Sequence, residues 1–512
     1  MKNRIIKNTA WGTAELAVTL TVGLILPRIF ILGMSREKYG LFLTLTLFST
    51  YGILTMLDFG MGGAVTTFVA RYHHTDPQRL RRLWTFAVVY FSATALLAMG
   101  VGLAIIRWYD AGISSRLAGL AISRVVLVPT ILMVGVTFLS YLSDAVLFGF
   151  NDYGYVKRVT IVQSVLRVAL VVLAVRYLGG FELIMWLMAA LAVVRFLLLM
   201  SYLLTRYSEF TVFCRFSRED LREWFGYSVI ILGSSLTGFI FNSFNRVLIS
   251  LALPIAAMAD FDIASKPQTL VRGMLSALLS AILPASAHYQ AAGQEGKLRE
   301  IFLRGAAWLH MMLFPPLVFI TLMMRHFLYL WLGPAQVRLA PYAQGVLVYL
   351  YIYSFESSLL NMIMLGSGQA KRYLPVQIAA SVLNLALSFL LVRRWGIGGL
   401  IFAYVCGHVL ANVGFMFVGA RALRLGTRFI FLGTLPEKLK LLIPPAALAY
   451  ALSIAGVKMT IATFLLESAA YFLAIYTLYF IMMTQEERSF LRTVIGKLRD
   501  KFLPAAAAAT GG

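Results

Sequence analysis

Long apolar segments recur along the whole chain and are separated by short polar stretches. Runs such as "LFLTLTLFSTYGIL" and "FLAIYTLYFIMM" belong to segments of about 20 residues, the length that a helix needs to cross roughly 30 Å of hydrocarbon. Lipid offers the backbone no hydrogen-bond partners, so we expect each span to be a helix. The pattern predicts fourteen spans: 11–34, 40–64, 83–106, 125–149, 157–177, 182–204, 226–251, 259–284, 305–325, 341–366, 372–392, 396–420, 439–457 and 461–483.

Composition agrees with this pattern. The 512 residues are 60% hydrophobic and only 13% charged, which is about half the charge of a soluble protein. Continuous apolar runs exclude a membrane β-barrel, whose strands alternate in polarity. The predicted fold class is therefore an all-α polytopic membrane protein. The two cysteines, Cys214 and Cys406, cannot build a disulfide framework or a metal cluster, so we expect no metal and no cofactor.

The positive net charge of +23 follows the predicted topology. Lys and Arg number 28 in the N-terminus, the even-numbered loops and the tail, against 11 in the odd-numbered loops. Such an excess marks the cytoplasmic side, so both termini are expected in the cytoplasm. Attraction to anionic membrane lipids adds to this balance, and binding to nucleic acid is not needed to explain it.

The sequence repeats itself at an offset of 217 residues. "LFGFNDYGYVKRVTIVQSVLRVALVVLAVRYLG" then aligns with "MLGSGQAKRYLPVQIAASVLNLALSFLLVRRWG", and Gly149 falls on Gly366. A polar stripe in the fifth span matches one in the eleventh: Thr160, Ser164 and Arg167 against Gln377, Ser381 and Asn384. The predicted parts are an N-terminal six-helix lobe (1–215), a C-terminal six-helix lobe (216–430), an extra helix pair (431–484) and a cytoplasmic tail (485–512).

The segment between the predicted lobes, "FSREDLREWF", carries its own signal. Ser217 and Asp220 have the spacing of a capping box, which predicts a short helix at the cytoplasmic surface.

A parallel repeat of six plus six spans is typical of transporters. Their substrate sites lie between the repeats, and access alternates as one repeat rocks against the other. The sequence contains no Walker loop, zinc-ligand spacing or nucleophile elbow, so we do not expect an enzyme. A membrane glycosyltransferase or polymerase would need a catalytic acid and large outside loops, but the predicted outside loops are short. A structural scaffold would leave the matched polar stripes without a purpose.

The seventh span contains an unusual polar stripe, "GFIFNSFNRVLIS". Asn242, Asn245 and Arg246 have i, i+3 and i+4 spacing and share one helix face. With one residue added to the repeat offset, Arg246 falls on Arg28, which follows Pro27 in the first span. Charged residues inside spans are expensive and usually functional.

Several segments resemble a known family. "LTMLDFGMGGAVTTFVARYH" at the second span, "LFGFNDYGYV" after the fourth and "MLGSGQAKRYLPVQ" after the tenth, with twelve repeated spans plus two, resemble the Wzx-type polysaccharide flippases. These belong to the multidrug/oligosaccharidyl-lipid/polysaccharide exporter superfamily. The resemblance covers about residues 1–484, and Leu57-Asp58-Phe59-Gly60 is its most specific part.

This resemblance implies a flippase of the bacterial inner membrane. It would move undecaprenyl-pyrophosphate-linked oligosaccharide, as a monomer, from the cytoplasmic to the periplasmic leaflet for O-antigen or exopolysaccharide synthesis. Membrane lipids and a polysaccharide polymerase are the other expected partners. Two alternatives stay open: a lipid II flippase, and a cation-coupled multidrug exporter of the same superfamily.

The implied substrate needs cations for its phosphates and amides or hydroxyls for its sugars. Arg28 and Arg246 are expected to face each other across the lobe interface, because an Arg fork donates two parallel hydrogen bonds to phosphate. The alternative for this pair is snorkelling to the headgroups. The other expected substrate ligands are Asn242, Asn245, Arg167 and Arg272. Lys266 is instead expected to neutralise Asp262, and Arg195 to form a structural pair.

Acidic residues in the spans suggest coupling or gating. Glu15 is a candidate for proton coupling, with a structural salt bridge as the alternative. Asp58 and Asp144 are expected to hold gates to the regions of Arg71 or Arg158. Protons, sodium ions or the membrane potential are the possible driving forces.

Overall fold

The computed structural model describes residues 2–47, 58–108, 122–178, 180–207, 214–280, 282–454, 460–485 and 488–489. As far as residue 207, the helices are α1 (Lys2–Gly33), α2 (Arg36–Thr46), α3 (Met61–Thr75), α4 (Pro77–Trp108), α5 (Leu127–Gly149), α6 (Tyr153–Leu173) and α7 (Phe181–Arg206). A single 3₁₀ turn, Arg124–Val126, precedes α5, and a π-helical turn, Ala174–Leu178, follows α6.

The second part of the chain is more broken. Its helices are α8 (Arg218–Phe239), α9 (Asn245–Ala252), α10 (Ile255–Leu279), α11 (Ile282–Ala291), α12 (Glu295–Leu322), α13 (Met324–Leu332), α14 (Ala340–Leu347), α15 (Ser354–Gly366), α16 (Leu374–Ala422), α17 (Leu435–Ile454) and α18 (Ile461–Met482). A π-helical segment, Ile240–Phe244, joins α8 to α9. The remaining short turns are 3₁₀ at Pro334–Leu339, Val348–Tyr351 and Ala370–Tyr373, and π at Phe429–Gly433.

The predicted all-α polytopic class is confirmed. Within the described residues, nine helices are long and apolar enough to cross a membrane, or ten if the pair 334–351 and 354–366, bent by 52°, forms one span. The count of fourteen stays a prediction. Two predicted spans, 372–392 and 396–420, lie in the single helix α16, which is broken at Gly396 by a positive φ of 54°.

Locally, one prediction lies partly outside the described residues, one is corrected, and one helix was not predicted. The predicted second span, 40–64, contains the end of α2 and the start of α3, and residues 48–57 between them lie outside the described part. The predicted short helix at 216–225 is instead the first part of α8, which runs on to Phe239, although the capping box of Ser217 and Asp220 is confirmed. The helix α13, between the ninth and tenth predicted spans, was not predicted.

The Asp58-Phe59-Gly60 segment starts helix α3. The Asp58 carboxylate accepts the N–H groups of Gly60 at 2.9 Å and Gly62 at 2.7 Å, which would otherwise lack partners at a helix N-terminus. Gly60 has a φ of 77° and lies so close to the Ser228 carbonyl of α8 that a Cβ would sit 2.5 Å from it. A glycine is therefore required both for the turn and for the close approach of α8.

The sequence repeat corresponds to a repeated turn. After α5, Asn151 is left-handed and Asp152 donates its N–H to the carbonyl of Leu147 at 2.9 Å. At the matching place after α15, Gly368 is left-handed and Gln369 donates to Met364 at 2.8 Å. Both helices thus end in the same Schellman-type turn, 217 residues apart, which supports a common origin for the two segments.

Apolar packing divides the molecule into lobes that α8 connects. Two buried clusters lie mainly in the part before residue 207, and a larger one lies mainly in the part from 248 to 430. Trp224, near the start of α8, is fully buried in a cluster of the first part. Beyond the π-helical segment, Leu248 and Ile249 of α9 lie in the second part's cluster. The helix formed by α8 and α9 therefore crosses from one lobe to the other, while the predicted boundary at 215/216 stays a prediction.

The last helix, α18, docks through tyrosines onto proline-containing helices. Pro316 in α12 has no N–H, which frees the carbonyl of Met312, and Tyr476 donates its hydroxyl to that oxygen at 3.2 Å. In the same way Pro445 in α17 frees the carbonyl of Leu441, which accepts the hydroxyl of Tyr479. Backbone groups freed by proline inside a membrane must be satisfied by neighbours, and α18 supplies them.

Candidate functional site

A cavity of about 350 Å³, called the first cavity here, lies between the lobes. Its walls come mainly from helices α1, α2, α5, α6 and α7 of the first lobe, and α9 and α10 of the second lobe close it on one side. Its polar lining comprises Thr19, Tyr39, Thr46, Thr137, Ser140, Gln163, Ser164, Arg167, Arg195, Arg246, Asp262 and Lys266. Two members of the fifth-span stripe, Ser164 and Arg167, therefore face this cavity.

The first cavity is cationic. Four cations line it, and the carboxylates Asp262 and Asp144 pair with three of them, which leaves a formal charge of +2. The fourth cation is Arg167, whose guanidinium has no hydrogen-bond or ion-pair partner among the described residues. A guanidinium held in an apolar protein without a counter-ion is costly, so this position favours an anionic ligand.

Asp262 is the centre of a cluster that joins the lobes. Its carboxylate accepts the hydroxyl of Tyr39 at 2.7 Å, and it pairs with Arg246 at 3.2 Å and Lys266 at 3.0 Å. We call these four residues the Asp262 cluster. Tyr39 belongs to the first lobe and the other three to the second, so the cluster joins the two lobes at the wall of the first cavity. The expected neutralisation of Lys266 by Asp262 is thus present, with Arg246 as a third partner.

Two further contacts fasten the lobes beside this cluster. Asp260 pairs with Arg36 of the first lobe at 3.4 Å and with Arg338 at 2.8 Å. Arg28 donates to the carbonyls of Leu330 and Trp331, both at 3.0 Å, in the last turn of α13, where carbonyls lack helical partners. In return the indole N–H of Trp331 donates to the carbonyl of Leu24 at 2.8 Å.

The structure therefore does not bring Arg28 and Arg246 together in the first cavity, and a role for Arg28 in binding substrate stays a prediction. Arg28 does not line the first cavity, because its guanidinium is engaged by the C-terminal turn of α13. Arg246 does line it. The two positions correspond in the sequence repeat, but one serves a contact between the lobes and the other a cavity.

Arg195 forms the structural pair that was predicted. Its Nη2 lies 2.6 and 2.8 Å from the two carboxylate oxygens of Asp144, and Nη1 donates to Thr160 at 3.1 Å. The Asp144 side chain is 1% exposed. The expected contact of Asp144 with the Arg158 region is corrected by this geometry.

The other predicted gate and coupling residues are also engaged. Asp58 caps α3 rather than contacting Arg71, which instead pairs with Glu223 at 3.2 Å. Glu15 pairs with Lys157 at 3.0 Å, which is the geometry of the structural salt bridge. A role for Glu15 in proton coupling stays a prediction.

The polar stripe of the seventh span falls at the π-helical segment. Asn245 is buried and its side-chain oxygen accepts the hydroxyl of Ser388, which also contacts Asn384 at 3.1 Å. Arg246 follows it at the cavity wall. Asn242 lies within the segment Ile240–Phe244, and its side chain is outside the described part. Asn245 and Arg246 both line the second cavity described below, and Arg246 lines the first cavity as well.

Two more cavities continue into the second lobe. The second cavity, about 290 Å³, shares Arg246 with the first, and Arg272 and Tyr404 are among its lining residues. The third cavity, about 210 Å³, shares Phe241 and Arg272 with the second. Arg272, another predicted ligand, therefore lies between these two cavities, beside the hydroxyls of Tyr349 and Tyr404.

An ionic cluster fastens the start of α8 to the first lobe. Asp220 pairs with Arg82 at 3.2 Å, and Glu223 pairs with Arg71 and Arg79 at 3.2 and 3.5 Å. Burial raises the pKa of the Asp220 carboxyl, but the hydrogen bonds from the Ser217 N–H and from Arg82 outweigh it and hold the pKa below its ordinary value.

Sequence reasoning missed part of this site. Tyr39, Arg36 and Arg338 were not singled out, although they bind the two carboxylates of "DFDI", Asp260 and Asp262. The signal in the sequence was the pair of aspartates in a predicted span, since buried carboxylates need partners.

The chain is similar to known proteins in sequence and in fold. A sequence family described as polysaccharide biosynthesis protein matches residues 5–290. A comparison with curated protein sequences found no match.

Solved structures of transporters share the fold. A structure of the lipid II flippase MurJ in an inward closed conformation aligns with a TM-score of 0.69 at 10% identity, covering 93% of this chain and 99% of that one. An inward-facing multidrug resistance MATE family transporter of the MOP superfamily aligns with a TM-score of 0.58 at 19% identity, covering 80% and 95%. A MOP superfamily transporter from Pyrococcus furiosus, described as having reverse polarity of the binding pocket, aligns with a TM-score of 0.51 at 19% identity, covering 83% and 97%.

Proposed function

Since the chain belongs to the polysaccharide biosynthesis protein family, we propose that it is a Wzx-type flippase for a lipid-linked oligosaccharide. It moves undecaprenyl-pyrophosphate-linked glycan from the cytoplasmic to the periplasmic leaflet of the bacterial inner membrane by alternating access. The observation that carries the proposal is the first cavity, with a formal charge of +2 and an Arg167 that has no partner among the described residues. A pyrophosphate diester supplies the anionic oxygens that this site lacks.

Different residues of the cavity bind the two phosphates. Arg167 offers a planar fork to one phosphate, since its donors are unused among the described residues. Arg246 and Lys266 offer positive charge to the other, on the opposite lobe, although Asp262 holds both in this conformation. A ligand that contacts all three draws the two lobes together around the phosphates.

Binding can also act on the contact between the lobes at the Asp262 cluster. Phosphate oxygens compete with Asp262 for Arg246 and Lys266, the two cations that offset its burial. Without these cations the Asp262 carboxylate is less stable in its buried position, so its contact with Tyr39 of the other lobe weakens. A ligand can shift a conformational equilibrium only by differential interaction with its states, and this competition supplies such a difference.

The charge of the cavity separates the proposal from a drug exporter, and the family match separates it from a lipid II flippase. A cation-coupled drug exporter binds cationic substrates, which a net positive cavity repels. Lipid II carries the same pyrophosphate and would fit the same cations, but the family match favours a polysaccharide precursor.

Export from cells tests the proposal. Arg167→Gln is expected to abolish surface polysaccharide and to leave the lipid-linked glycan accumulating on the cytoplasmic leaflet, at normal protein levels. Arg176→Gln is the matched control, because Arg176 is an exposed arginine in the turn that follows the same helix, and it should export normally. Normal export by Arg167→Gln would contradict the proposal.

A further inference from the structure

The third cavity differs in chemistry from the phosphate site. No carboxylate among the described residues lines the second or third cavity, and Arg272 is the one cation that both share. The other polar residues that line the third cavity are serines, amides, Tyr349 and His408. Its volume of about 210 Å³ adjoins the 290 Å³ of the second cavity, so together they fall in the range of small-molecule sites.

Three polar side chains of the third cavity have unused hydrogen-bonding capacity. Ser358, Asn361 and Gln377 all line it, and their side chains have no hydrogen-bond partner among the described residues. They come from two helices, α15 and α16, and converge on one space. Half-buried amides cost free energy when they lack partners, so such a group of them favours a ligand that is rich in hydroxyls.

Neighbouring polar residues are already occupied by the fold. Asn412 donates to the carbonyls of Tyr349 and Ile352 and accepts the Ser357 hydroxyl at 2.9 Å, which holds the chain where it bends between 351 and 354. This residue therefore has a structural role. Ser358, Asn361 and Gln377 are therefore the polar side chains of this cavity that can hydrogen-bond to a ligand.

Aromatic rings also line the third cavity. Phe241, Tyr349 and Phe415 line the third cavity. The His408 ring fixes two of these, with centroids 4.7 Å from Phe241 and 4.5 Å from Tyr349. Rigid aromatic faces beside amides suit a pyranose ring, which has apolar C–H faces and a rim of hydroxyls.

The three cavities form a series linked by shared residues, Arg246 between the first and second, and Phe241 and Arg272 between the second and third. Accordingly, we infer that the third cavity, which adjoins the second, is a subsite for sugar residues of the transported glycan, separate from the pyrophosphate site. This inference rests on the proposed function. It divides the ligand between the lobes, with the phosphates at Arg167 and the sugars at Asn361 and Gln377.

Photocrosslinking in cells tests the subsite with the natural ligand. A benzophenone amino acid replaces Asn361 in the third cavity, Thr137 in the first cavity, or Leu390, which is 67% exposed on α16 and serves as control. Cells that synthesise the polysaccharide are fed radiolabelled glucose, irradiated, and the purified protein is analysed for covalently attached labelled glycan. We expect label at 361 and none at 390.

The outcomes separate the two proposals. Label at 137 with none at 361 would overturn the sugar subsite and leave the flippase proposal in place. Absence of label at both 137 and 361 would overturn both.

Leucine variants provide a test that does not depend on the bulky benzophenone side chain. Asn361→Leu combined with Gln377→Leu should reduce export at least tenfold, yet keep the thermal stabilisation of the purified protein by sugar-free undecaprenyl pyrophosphate. Unchanged export would overturn the subsite.

Discussion

Arg167 and Arg195 line the same cavity, but their replacement is predicted to affect different properties. Replacing Arg195 should lower stability, and replacing Arg167 should weaken ligand binding. Arg195 is bound to Asp144 by contacts of 2.6 and 2.8 Å, and the two side chains are 10% and 1% exposed. Arg195→Gln leaves a buried carboxylate without its counter-ion, which costs about 3–5 kcal/mol of unfolding free energy. Arg167 has no partner among the described residues, so Arg167→Gln should leave stability unchanged or raise it.

The effects of the two substitutions on ligand binding should be the reverse of their effects on stability. Arg167→Gln removes charge-assisted hydrogen bonds to phosphate that contribute about 2–3 kcal/mol, which corresponds to a roughly 30- to 150-fold weaker Kd for undecaprenyl pyrophosphate. Arg195 has already committed its donors to Asp144 and Thr160. The part of the Arg195→Gln population that stays folded should therefore bind within about threefold of wild type.

Equilibrium unfolding in detergent and a binding titration on both variants give the four values needed. The double variant, Arg195→Gln with Asp144→Asn, removes both charges of the pair and should recover at least half of the stability that Arg195→Gln loses. The reasoning is refuted if Arg167→Gln is the less stable of the two single variants, or if both bind undecaprenyl pyrophosphate equally well.

Three further perturbations test the packing. Gly40→Ala should lower stability by about 1–3 kcal/mol, because its Cβ would lie 2.1 Å from a backbone carbonyl of α10. Gly12→Ala is the control and should be neutral, because nothing lies within 4 Å of the added Cβ. Equal effects of the two substitutions on stability would contradict the contact at Gly40. Tyr479→Phe should cost roughly 0.6–1.7 kcal/mol by leaving a proline-freed carbonyl unpaired, and Tyr450→Phe, on an exposed side chain of α17, is its control. The pKa of Asp220 is lower in the folded state than in the unfolded state. Its contribution to stability is therefore present above the unfolded pKa of about 3.9 and disappears as pH falls through the folded pKa. When unfolding is measured from pH 7 to 3, the wild type should lose its greater stability relative to Asp220→Asn only at the acid end.

The fold class could be predicted from sequence because it depends on a local property. A helix that crosses lipid needs an apolar run of fixed length, and such runs are read directly from the chain. The repeat was predictable for a related reason, since the turn at Asn151 and its match at Gly368 depend on a few adjacent residues.

The partners of the charged residues could not be predicted in this way. Asp262 and Tyr39 are 223 residues apart, and their contact depends on how α2 and α10 are rotated against each other. Among the described residues, Arg28 has no side-chain partner that a sequence search could find, because it binds backbone carbonyls of α13, a helix that was itself not predicted. Arg167 was predictable as a candidate, because a charge near the middle of a span is costly whatever surrounds it.

Repeated sequence positions also proved to have different roles. Arg28 and Arg246 correspond in the repeat, yet one fastens α1 to α13 and the other lines the first cavity. The π-helical segment Ile240–Phe244 precedes Arg246 and changes the direction of the side chains after it. The first lobe has a regular α-helix at Arg28, so the register differs there.

Thermal stabilisation of the purified protein by undecaprenyl pyrophosphate tests the central claim most directly, with undecaprenol and a cationic dye as controls. At a ligand concentration about 100 times Kd, binding to the folded state adds about 2.7 kcal/mol of stability, and Arg167→Gln should reduce this to roughly 0.3–0.9 kcal/mol. The account predicts stabilisation by the pyrophosphate alone, largely lost in that variant. Stabilisation by the dye, with none by the pyrophosphate, would contradict it.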